Sequence, residues 1–383
     1  MNILVVLPDN SLGGISTSAE NFCKECITRG NEVDVLIMNG GRLSLSNVNY
    51  VSMPGKSKYW NLSANDIKQG GIKAPLLAFM GVVKYLTNKK GGWIPSIFSK
   101  VSLTKYYDVT IAYRQSAACY YFTLNCVKAK TKLAMIHGNL HFMPETKTWD
   151  CLLPNFDKVI CVSDAVRKGF AEGFPILADK FATVYNMFDA PSIIDKSNQP
   201  CEYVVDKCLV NIISVARHDN WQKNTDRIPL ACAELRKRGV KNFHWYIAGD
   251  GPHLEQNKQL AKELGVYDMI TFCGAMANPF ALQSQCDISV LTSSTEAYSM
   301  SVIESRILKK PMIVMRYDGI AEAIEDGKSG LIAEQNMDSL CDKLQILIQD
   351  SVLRESMHQY LLDSPYSNEK AFCQFEDLVD IKQ

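Results

Sequence analysis

Two glutamates stand eight positions apart in residues 293–311, which read SSTEAYSMSVIESRILKKP. Glu296 lies in a polar loop, whereas Glu304 lies within a helical pattern. Three roles suit such residues: a catalytic pair, two contacts to one ligand, or solvated surface charge. A glycosidase needs two carboxyl groups that face each other across one anomeric carbon, and this spacing does not impose that geometry. We therefore expect the two glutamates to contact different parts of one elongated ligand.

A second group of residues that could bind a ligand is cationic. Arg217 and Lys223 lie six residues apart in ARHDNWQKNTDRI, where a strand candidate passes into a helix. An arginine presents a fork of donors and a lysine presents a point charge, so the two can meet a diphosphate from two sides. Surface ion pairing is the alternative at this position.

Two glycines, Gly13 and Gly14, precede the first helical pattern in DNSLGGISTSAENF. They allow the backbone to pass close to a ligand, and Ser16, Thr17 or Ser18 can cap the helix that follows. A helix start behind glycines favours phosphate, but a tight turn explains the pattern almost as well. The pattern GxGxxG is absent, which argues against a nicotinamide enzyme.

Short apolar strand candidates alternate with helical patterns in two series, separated by a polar stretch near residues 190–209. The first series comprises residues 3–9, 33–39, 109–114, 132–138, 158–164 and 182–188. The second comprises residues 210–217, 244–251, 269–275, 287–294, 311–319 and 330–334. Alternating strands and helices build parallel sheets, and ligands bind beyond the carboxyl ends of such strands. The sequence therefore predicts an α/β protein with two doubly wound Rossmann-like domains.

The composition is that of a soluble globular protein: the 383 residues are 47% apolar and 21% charged. Thirteen cysteines are scattered through a chain that opens MNILVVLPDN without a secretion signal, so we expect reduced thiols in a cytosolic protein. Cys23 and Cys26 have metal-like spacing, but no second CxxC completes a zinc site, so no metal site is predicted. No apolar run is long enough to cross a bilayer.

Positive charge is concentrated in residues 67–144, where ten lysines and one arginine accompany a single aspartate. Such an excess is typical of contact with a membrane surface or a phosphate-bearing partner. Within it, APLLAFMGVVKYLTNKKGGWIPSIF mixes apolar, lysine and aromatic residues as interfacial helices do. We expect residues 68–105 to contact an anionic membrane surface; the alternative is a core helix with a solvated basic face. No nucleic-acid partner is expected.

Several motifs together resemble one enzyme family. EAYSMSVIESRILKKPMIVMRYDGIAEAIEDGKSGLI contains a Glu-x7-Glu pattern, and SVARHDNWQKN, IAGDGPHLE, CVSDAVRKGF and VYNMFD match further elements in order. The chain resembles the retaining, nucleotide-sugar-dependent glycosyltransferases of group 1, whose GT-B fold has two Rossmann-like domains facing a central cleft. It departs from the family pattern at Ala297, where glycine is usual, and at Leu308 and Lys309, which replace a small residue and glycine.

The resemblance implies a role for each acidic and cationic residue introduced above. Arg217 and Lys223 would neutralise the donor diphosphate, together with the helix start at Ser301. Glu304 would hold the ribose hydroxyls of the nucleotide sugar. Glu296 would contact the sugar that is transferred.

In the other domain, the resemblance implies that Gly13 and Gly14 close over the donor phosphates. His137, in MIHGNLHF, would lie near the reacting sugar, with a satisfied core histidine as the alternative. Asn186, in VYNMFD, would mark the edge between the domains.

These implications together predict a retaining, metal-independent hexosyltransferase with no cofactor, whose catalytic residues are Glu296, His137, Arg217 and Lys223. It would move a sugar from a nucleoside-diphosphate donor to a hydroxyl of a lipid-linked glycan acceptor, in cell-surface polysaccharide synthesis. A nucleotide-sugar epimerase and a non-catalytic glycan- or membrane-binding module are the alternatives.

The expected organisation follows the two strand series. Residues 1–195 would bind the acceptor, residues 196–365 would bind the nucleotide sugar, and residues 366–383 would form a helix that packs back on the first domain. The enzyme would be cytoplasmic and peripheral on the inner face of the cell membrane.

Overall fold

The structure is a computed structural model that describes residues 1–10, 13–54, 102–140 and 146–380. The chain forms two compact units. Unit 1 comprises Met1–Phe188 together with Asn368–Gln383, and unit 2 comprises Asp189–Ser367. The chain therefore leaves unit 1, builds unit 2 and returns to unit 1 for its last helix.

Unit 1 is built on a seven-stranded parallel sheet. Its strands are β1 (Asn2–Leu7), β2 (Glu32–Ile37), β3 (Asn49–Tyr50), β4 (Tyr106–Ala112), β5 (Lys128–Ile136), β6 (Lys158–Cys161) and β7 (Phe181–Thr183). Within the described residues, its helices up to β7 are α1 (Gly14–Thr28), α2 (Ala117–Cys126), α3 (Thr146–Leu152) and α4 (Asp164–Gly173). The spatial order β3-β2-β1-β4-β5-β6-β7 places the point where the strand order reverses between β1 and β4.

Unit 2 repeats this plan with a six-stranded parallel sheet. Its strands are β8 (Val210–Val215), β9 (Phe243–Ala248), β10 (Ile270–Gly274), β11 (Ile288–Leu291), β12 (Met312–Met315) and β13 (Gly330–Ala333). Its helices are α5 (Ala190–Ser197), α6 (Arg227–Lys237), α7 (Leu254–Glu263), α8 (Phe280–Gln283), α9 (Met300–Ile307), α10 (Met337–Gln349) and α11 (Ser351–Asp363). The order β10-β9-β8-β11-β12-β13 places the point where the strand order reverses between β8 and β11.

The apolar runs seen in the sequence become strands because both faces of each sheet are covered. All of Ile3 to Leu7 in β1 is buried, and so is all of β12. Continuous burial of this kind is typical of parallel sheets between two layers of helices. In unit 2 the indole of Trp245 is fully buried in one core cluster with Leu340 and Leu344 of α10.

The last helix, α12 (Glu369–Asp380), completes unit 1. Its apolar side buries Phe372 and Phe375, and the Phe375 ring meets Phe22 of α1 edge to face at 5.1 Å. At the rim, the Arg29 guanidinium bridges Glu369, with 2.5 Å between Nη2 and Oε2. Exposed ion pairs of this type contribute little stability, so buried aromatic area is the main force that holds α12 in place.

The predicted fold is confirmed, because two parallel α/β sheets of the Rossmann type are present. Unit 2 begins at Asp189, earlier than the expected boundary at residue 195, because α5 packs on α8 and α9 of unit 2. Two bonds link the end of α5 to that unit: Asn278 Nδ2 donates to the Lys196 carbonyl at 2.8 Å, and Ser284 Oγ donates to the Ser197 carbonyl.

Most of the predicted membrane-contact segment, residues 68–105, lies outside the described residues. In the described part of the basic stretch, Lys105 bridges Asp34 at 3.0 Å and Arg114 bridges Asp9 at 2.7 Å. Among the helices within the described ranges, none is long and apolar enough to span a bilayer. All thirteen cysteines are free thiols, and Cys23 and Cys26 lie buried on α1.

Candidate functional site

The candidate residues of unit 2 lie at the carboxyl ends of β8 and β11. These strands are neighbours at the point where the strand order reverses, which is where doubly wound folds bind their ligands. Arg217 and Lys223 follow β8, and Glu296 follows β11. Two loops that are distant in the sequence therefore meet at one edge of the sheet.

The structure brings Lys223 and Glu296 into direct contact. Lys223 Nζ donates to Glu296 Oε1 at 2.5 Å, and Ser293 Oγ donates to the same oxygen at 2.6 Å. Glu296 is only 8% exposed and Lys223 22% exposed, so water screens the ion pair less than at an open surface. The carboxylate is thus fixed in position by a cation and a hydroxyl.

The two loops are joined by a further set of hydrogen bonds. Thr292 Oγ1 donates to the Lys223 carbonyl at 2.7 Å, and the Ser294 amide donates to Asn224 Oδ1 at 3.1 Å. Asn224 has a left-handed backbone with φ 47°, a conformation that asparagine tolerates better than most residues. This local turn holds Lys223 against the β11 loop.

Glu304 lies on α9 and is half-buried. Burial raises the pKa of its carboxyl group to about 7, although Lys223 and Lys196 act in the opposite direction. Among the described residues, its carboxylate has no hydrogen-bond partner. A desolvated carboxylate beside two lysines is suited to accept hydrogen bonds from a hydroxyl-bearing ligand.

The start of α9 offers backbone N–H groups that can bind an anion. Ser299 is the N-cap residue, and its side chain makes no capping hydrogen bond to the helix. Its hydroxyl instead lies 3.2 Å from Ser301 Oγ. The first-turn amides of any helix lack intrahelical acceptors, so those of Ser301 and Val302 can serve an anion.

Arg217 does not join the Lys223 group directly. Its Nη2 contacts Asp219 Oδ2 at 2.5 Å, and its side chain is 62% exposed. The backbone before it is closely packed: a Cβ at Gly249 would lie 1.9 Å from the Ala216 carbonyl oxygen, and Gly251 approaches His218 in the same way. These glycines therefore let the β9 loop lie against the β8 loop.

Gly13 and Gly14 lie at the start of α1 in unit 1. Gly13 is the N-cap residue, with φ 153°, a backbone conformation that favours glycine. The expectation that Ser16, Thr17 or Ser18 caps this helix is wrong, because all three lie inside it. Ser18 is buried, and its hydroxyl donates to Asn186 Oδ1 at 2.7 Å.

His137 follows β5 of unit 1 and is held by its neighbours. Its amide donates to Gln115 Oε1 at 2.9 Å, and its Nε2 lies 2.8 Å from the Tyr113 carbonyl oxygen, so Nε2 carries the proton. Burial lowers the pKa of the imidazole to about 4, and the Arg114 charge lowers it further, while the bond to Tyr113 opposes both. The ring is therefore neutral near pH 7, with Nδ1 left as an acceptor.

Three residues that sequence reasoning missed complete the unit 2 site: Ser293, Asp219 and Lys196. Ser293 and Asp219 each contact a predicted residue, and Lys196 acts electrostatically on Glu304. Asp219 could have been predicted from the sequence, because an aspartate in a polar loop often accepts a hydrogen bond from a backbone amide two residues further on. Ser293 lies three residues before Glu296 in the same loop. Lys196 had no such local signal, since Glu304 lies on a different helix.

Comparison with known proteins identifies the larger part of unit 2. Residues 206–361 match the family model of the glycosyl transferases group 1. This segment is a group 1 glycosyltransferase domain. Arg217, Lys223, Glu296, Ser301 and Glu304 all lie inside this glycosyltransferase domain, so the family assignment and the residue geometry concern the same part of the chain.

Two of the curated relatives are each similar to about half of the chain. The N-acetyl-alpha-D-glucosaminyl L-malate synthase of Bacillus anthracis is 29% identical over 202 residues, which cover 51% of this chain and 52% of the relative. The N-acetylgalactosamine-N,N'-diacetylbacillosaminyl-diphospho-undecaprenol 4-alpha-N-acetylgalactosaminyltransferase of Campylobacter jejuni is 26% identical over 207 residues, 54% of each chain. The chain thus spans about half the length of these two relatives.

Solved structures are also similar to the chain over both units. Among them, the structure of Anabaena Alr3699/HepE in complex with UDP and glucose covers 99% of each chain with a TM-score of 0.71 and 16% identity. At this level of identity the likeness concerns the fold alone, in agreement with the two Rossmann-like units.

Proposed function

We propose that this protein is a retaining glycosyltransferase that moves a sugar from a nucleoside-diphosphate donor to a hydroxyl of a glycan acceptor. The observation that carries the proposal is the contact between Lys223 and Glu296, at the sheet edge that also bears Arg217 and the start of α9. The group 1 family match over the same residues supports it.

The leaving diphosphate gathers negative charge as its bond to the anomeric carbon breaks. Lys223, Arg217 and the amide of Ser301 are donors that can stabilise this charge. Removal of one preorganised donor from such a site commonly costs about 3 kcal/mol of transition-state stabilisation. We propose that these groups perform this role without a divalent ion.

The two glutamates hold the two ends of the donor in this proposal. Glu304 accepts hydrogen bonds from the ribose hydroxyls, and Glu296 orients the sugar that is transferred. The anomeric C–O bond to the diphosphate breaks while the acceptor oxygen bonds to the same carbon on the same face. The acceptor proton passes to an oxygen of the leaving diphosphate, and the configuration is retained.

We propose that unit 1 binds the acceptor, with the neutral His137 near the reacting sugar. A lipid-linked acceptor is supported by the relative named for a diphospho-undecaprenol substrate and by the basic residues 68–105. The product would enter a cell-surface polysaccharide. Peripheral contact with an anionic membrane would bring enzyme and acceptor together.

A two-step experiment tests this function. Thermal shift with a panel of nucleoside diphosphates and nucleotide sugars identifies the donor, because a ligand that binds the folded state raises the melting temperature. The chosen donor is then incubated with and without lipid-linked glycan acceptors. Transfer with retained configuration is expected with acceptor, and slow hydrolysis without it. An isomerised sugar formed without acceptor would instead indicate an epimerase, and the absence of nucleotide binding would indicate a binding module.

A further inference from the structure

Arg217, one of the two donor cations, is already engaged by a carboxylate of its own loop. Its Nη2 lies 2.5 Å from Asp219 Oδ2, two residues further along the chain. Within the described part of the chain this is the one side-chain contact of the guanidinium, and it uses one of the five N–H donors. The contact therefore neutralises the charge without fixing the plane of the fork.

The carboxylate is the fixed partner of this pair. Asp219 Oδ1 accepts the amides of Trp221 at 2.9 Å and Gln222 at 3.2 Å, which closes a turn in the β8 loop. The Asp219 side chain is 14% exposed, whereas that of Arg217 is 62% exposed. Burial acts to raise the pKa of Asp219, but the two amides and Arg217 together lower it, so the group is ionised at neutral pH.

We propose that Asp219 competes with the donor diphosphate for Arg217 and so weakens the hold of the enzyme on its nucleoside-diphosphate product. Asp219 is a positioning residue in this proposal, because it acts through Arg217. The proposal rests on the proposed function, since it assumes that unit 2 binds a nucleoside diphosphate.

The opposite effect, in which Asp219 prepares Arg217 for the ligand, is disfavoured by the geometry. A single contact to an exposed guanidinium gives little orientation, because water and side-chain entropy offset exposed ion pairs. A bound carboxylate must, however, share or release the guanidinium before phosphate can take the same donor. Competition for the cation therefore outweighs orientation.

The test compares Asp219→Asn with the wild type in calorimetric binding of UDP and GDP. Asparagine retains the oxygen that accepts the amides of Trp221 and Gln222, so the turn is kept while the charge is lost. We expect the dissociation constant of the nucleoside diphosphate that binds to fall about fivefold at low salt, with a smaller gain as salt screens the charges. Product inhibition should strengthen by the same factor.

Two further variants make the result specific. Asp268→Asn removes the same charge from another exposed Arg–Asp pair, at the amino end of β10, and should leave nucleotide affinity unchanged. In an Arg217→Gln background, Asp219→Asn should change affinity less than about twofold, because the two residues act as a pair.

Each outcome has one meaning. Weaker or unchanged binding by Asp219→Asn, or a full gain that persists in the Arg217→Gln background, would overturn the role of Asp219 while leaving the proposed function intact. Failure of the folded wild-type protein to bind any nucleoside diphosphate would instead overturn the proposed function itself.

Discussion

The ammonium of Lys223 lies 2.5 Å from a carboxylate oxygen of Glu296, although 73 positions separate the two residues in the chain. The contact joins the loops after two neighbouring parallel strands, β8 and β11, and a serine hydroxyl completes it. When a glycosyl phosphate bond breaks, negative charge forms on the phosphate and positive charge on the sugar. Lys223 is suited to bind the first and Glu296 the second.

Replacement of Glu296 should separate binding from chemistry. In Glu296→Gln the amide oxygen can still accept the bond from Ser293, but the charge that engages Lys223 is lost. We expect the transfer rate to fall about a hundredfold or more, while nucleoside-diphosphate affinity stays equal or rises because Lys223 is released. Steady-state kinetics and calorimetry measure the two effects. Equal losses of rate and affinity would contradict a role for Glu296 at the sugar.

Glu304 should make donor binding depend on pH. Its pKa of about 7 means that it gains its charge as the pH rises through neutrality, and the ionised form accepts hydrogen bonds from ribose hydroxyls better. Affinity for the nucleotide sugar should rise by up to about tenfold between about pH 6 and about pH 8. The pyrophosphate of a nucleotide sugar does not titrate in this range. The dependence should vanish in Glu304→Gln, and its persistence there would exclude Glu304 as the source.

The Glu304 carboxyl group should make the free energy of unfolding fall as the pH rises, whereas it makes ligand affinity rise. Its folded pKa is raised above the unfolded value, so the folded state binds more protons between about pH 4.5 and about pH 7. The unfolding free energy of the wild type should therefore fall relative to that of Glu304→Gln across this interval, by about 1 to 3 kcal/mol. Urea unfolding at several pH values measures the difference. A constant difference would show that the group is not desolvated.

His137 should act as a neutral hydrogen-bonding ring. Because burial lowers its pKa to about 4, its NMR signals should show no titration from about pH 5.5 to about pH 8, with His137→Gln as the assignment control. His137→Ala should lower the transfer rate about tenfold or more and leave nucleotide affinity of unit 2 nearly unchanged. A titration near the ordinary histidine pKa, or an unchanged rate, would contradict this role.

Transfer should not require a divalent ion. Lys223, Arg217 and the start of α9 are the groups that we assign to the charge of the leaving diphosphate. Treatment with EDTA should leave the rate within about twofold of its starting value, because these groups are part of the protein. A loss of activity that Mg²⁺ or Mn²⁺ restores would contradict the assignment.

Membrane contact through residues 68–105 is open to a direct test with the full chain. Neutralising the four lysines between residues 84 and 100 by glutamine should weaken binding to anionic vesicles about tenfold or more, since each lysine near such a surface contributes about 1 kcal/mol. The matched control replaces four exposed lysines of unit 2, namely Lys237, Lys241, Lys262 and Lys328. Equal binding of both variants would remove the basis for a membrane role.

The sequence was sufficient to predict most of the fold, for a physical reason. Strands of a sheet covered on both faces are short continuous apolar runs, and all twelve predicted runs correspond to strands. Strand β3 escaped prediction because it has only two residues, Asn49 and Tyr50. The run at 182–188 was extended too far: the strand ends at Thr183, and the amide of Phe188 bonds to the Asn368 side chain instead of a strand.

The candidate site was less accessible from the sequence. Arg217, Lys223, Glu296 and Glu304 could be singled out because their types and positions after strands suit an anionic, hydroxyl-rich ligand. The contact between Lys223 and Glu296 could not be predicted, because it depends on which strands are neighbours in space. The contact of Arg217 with Asp219 is a local matter of loop geometry, which residue types suggest but do not determine.

A crystal structure of the protein with its nucleoside diphosphate tests the central claim most directly. We predict phosphate oxygens within hydrogen-bond distance of Lys223 Nζ, the Arg217 guanidinium and the Ser301 amide, with the ribose hydroxyls at the Glu304 carboxylate. A nucleotide bound elsewhere on unit 2, with these four groups making no contact to it, would contradict the account.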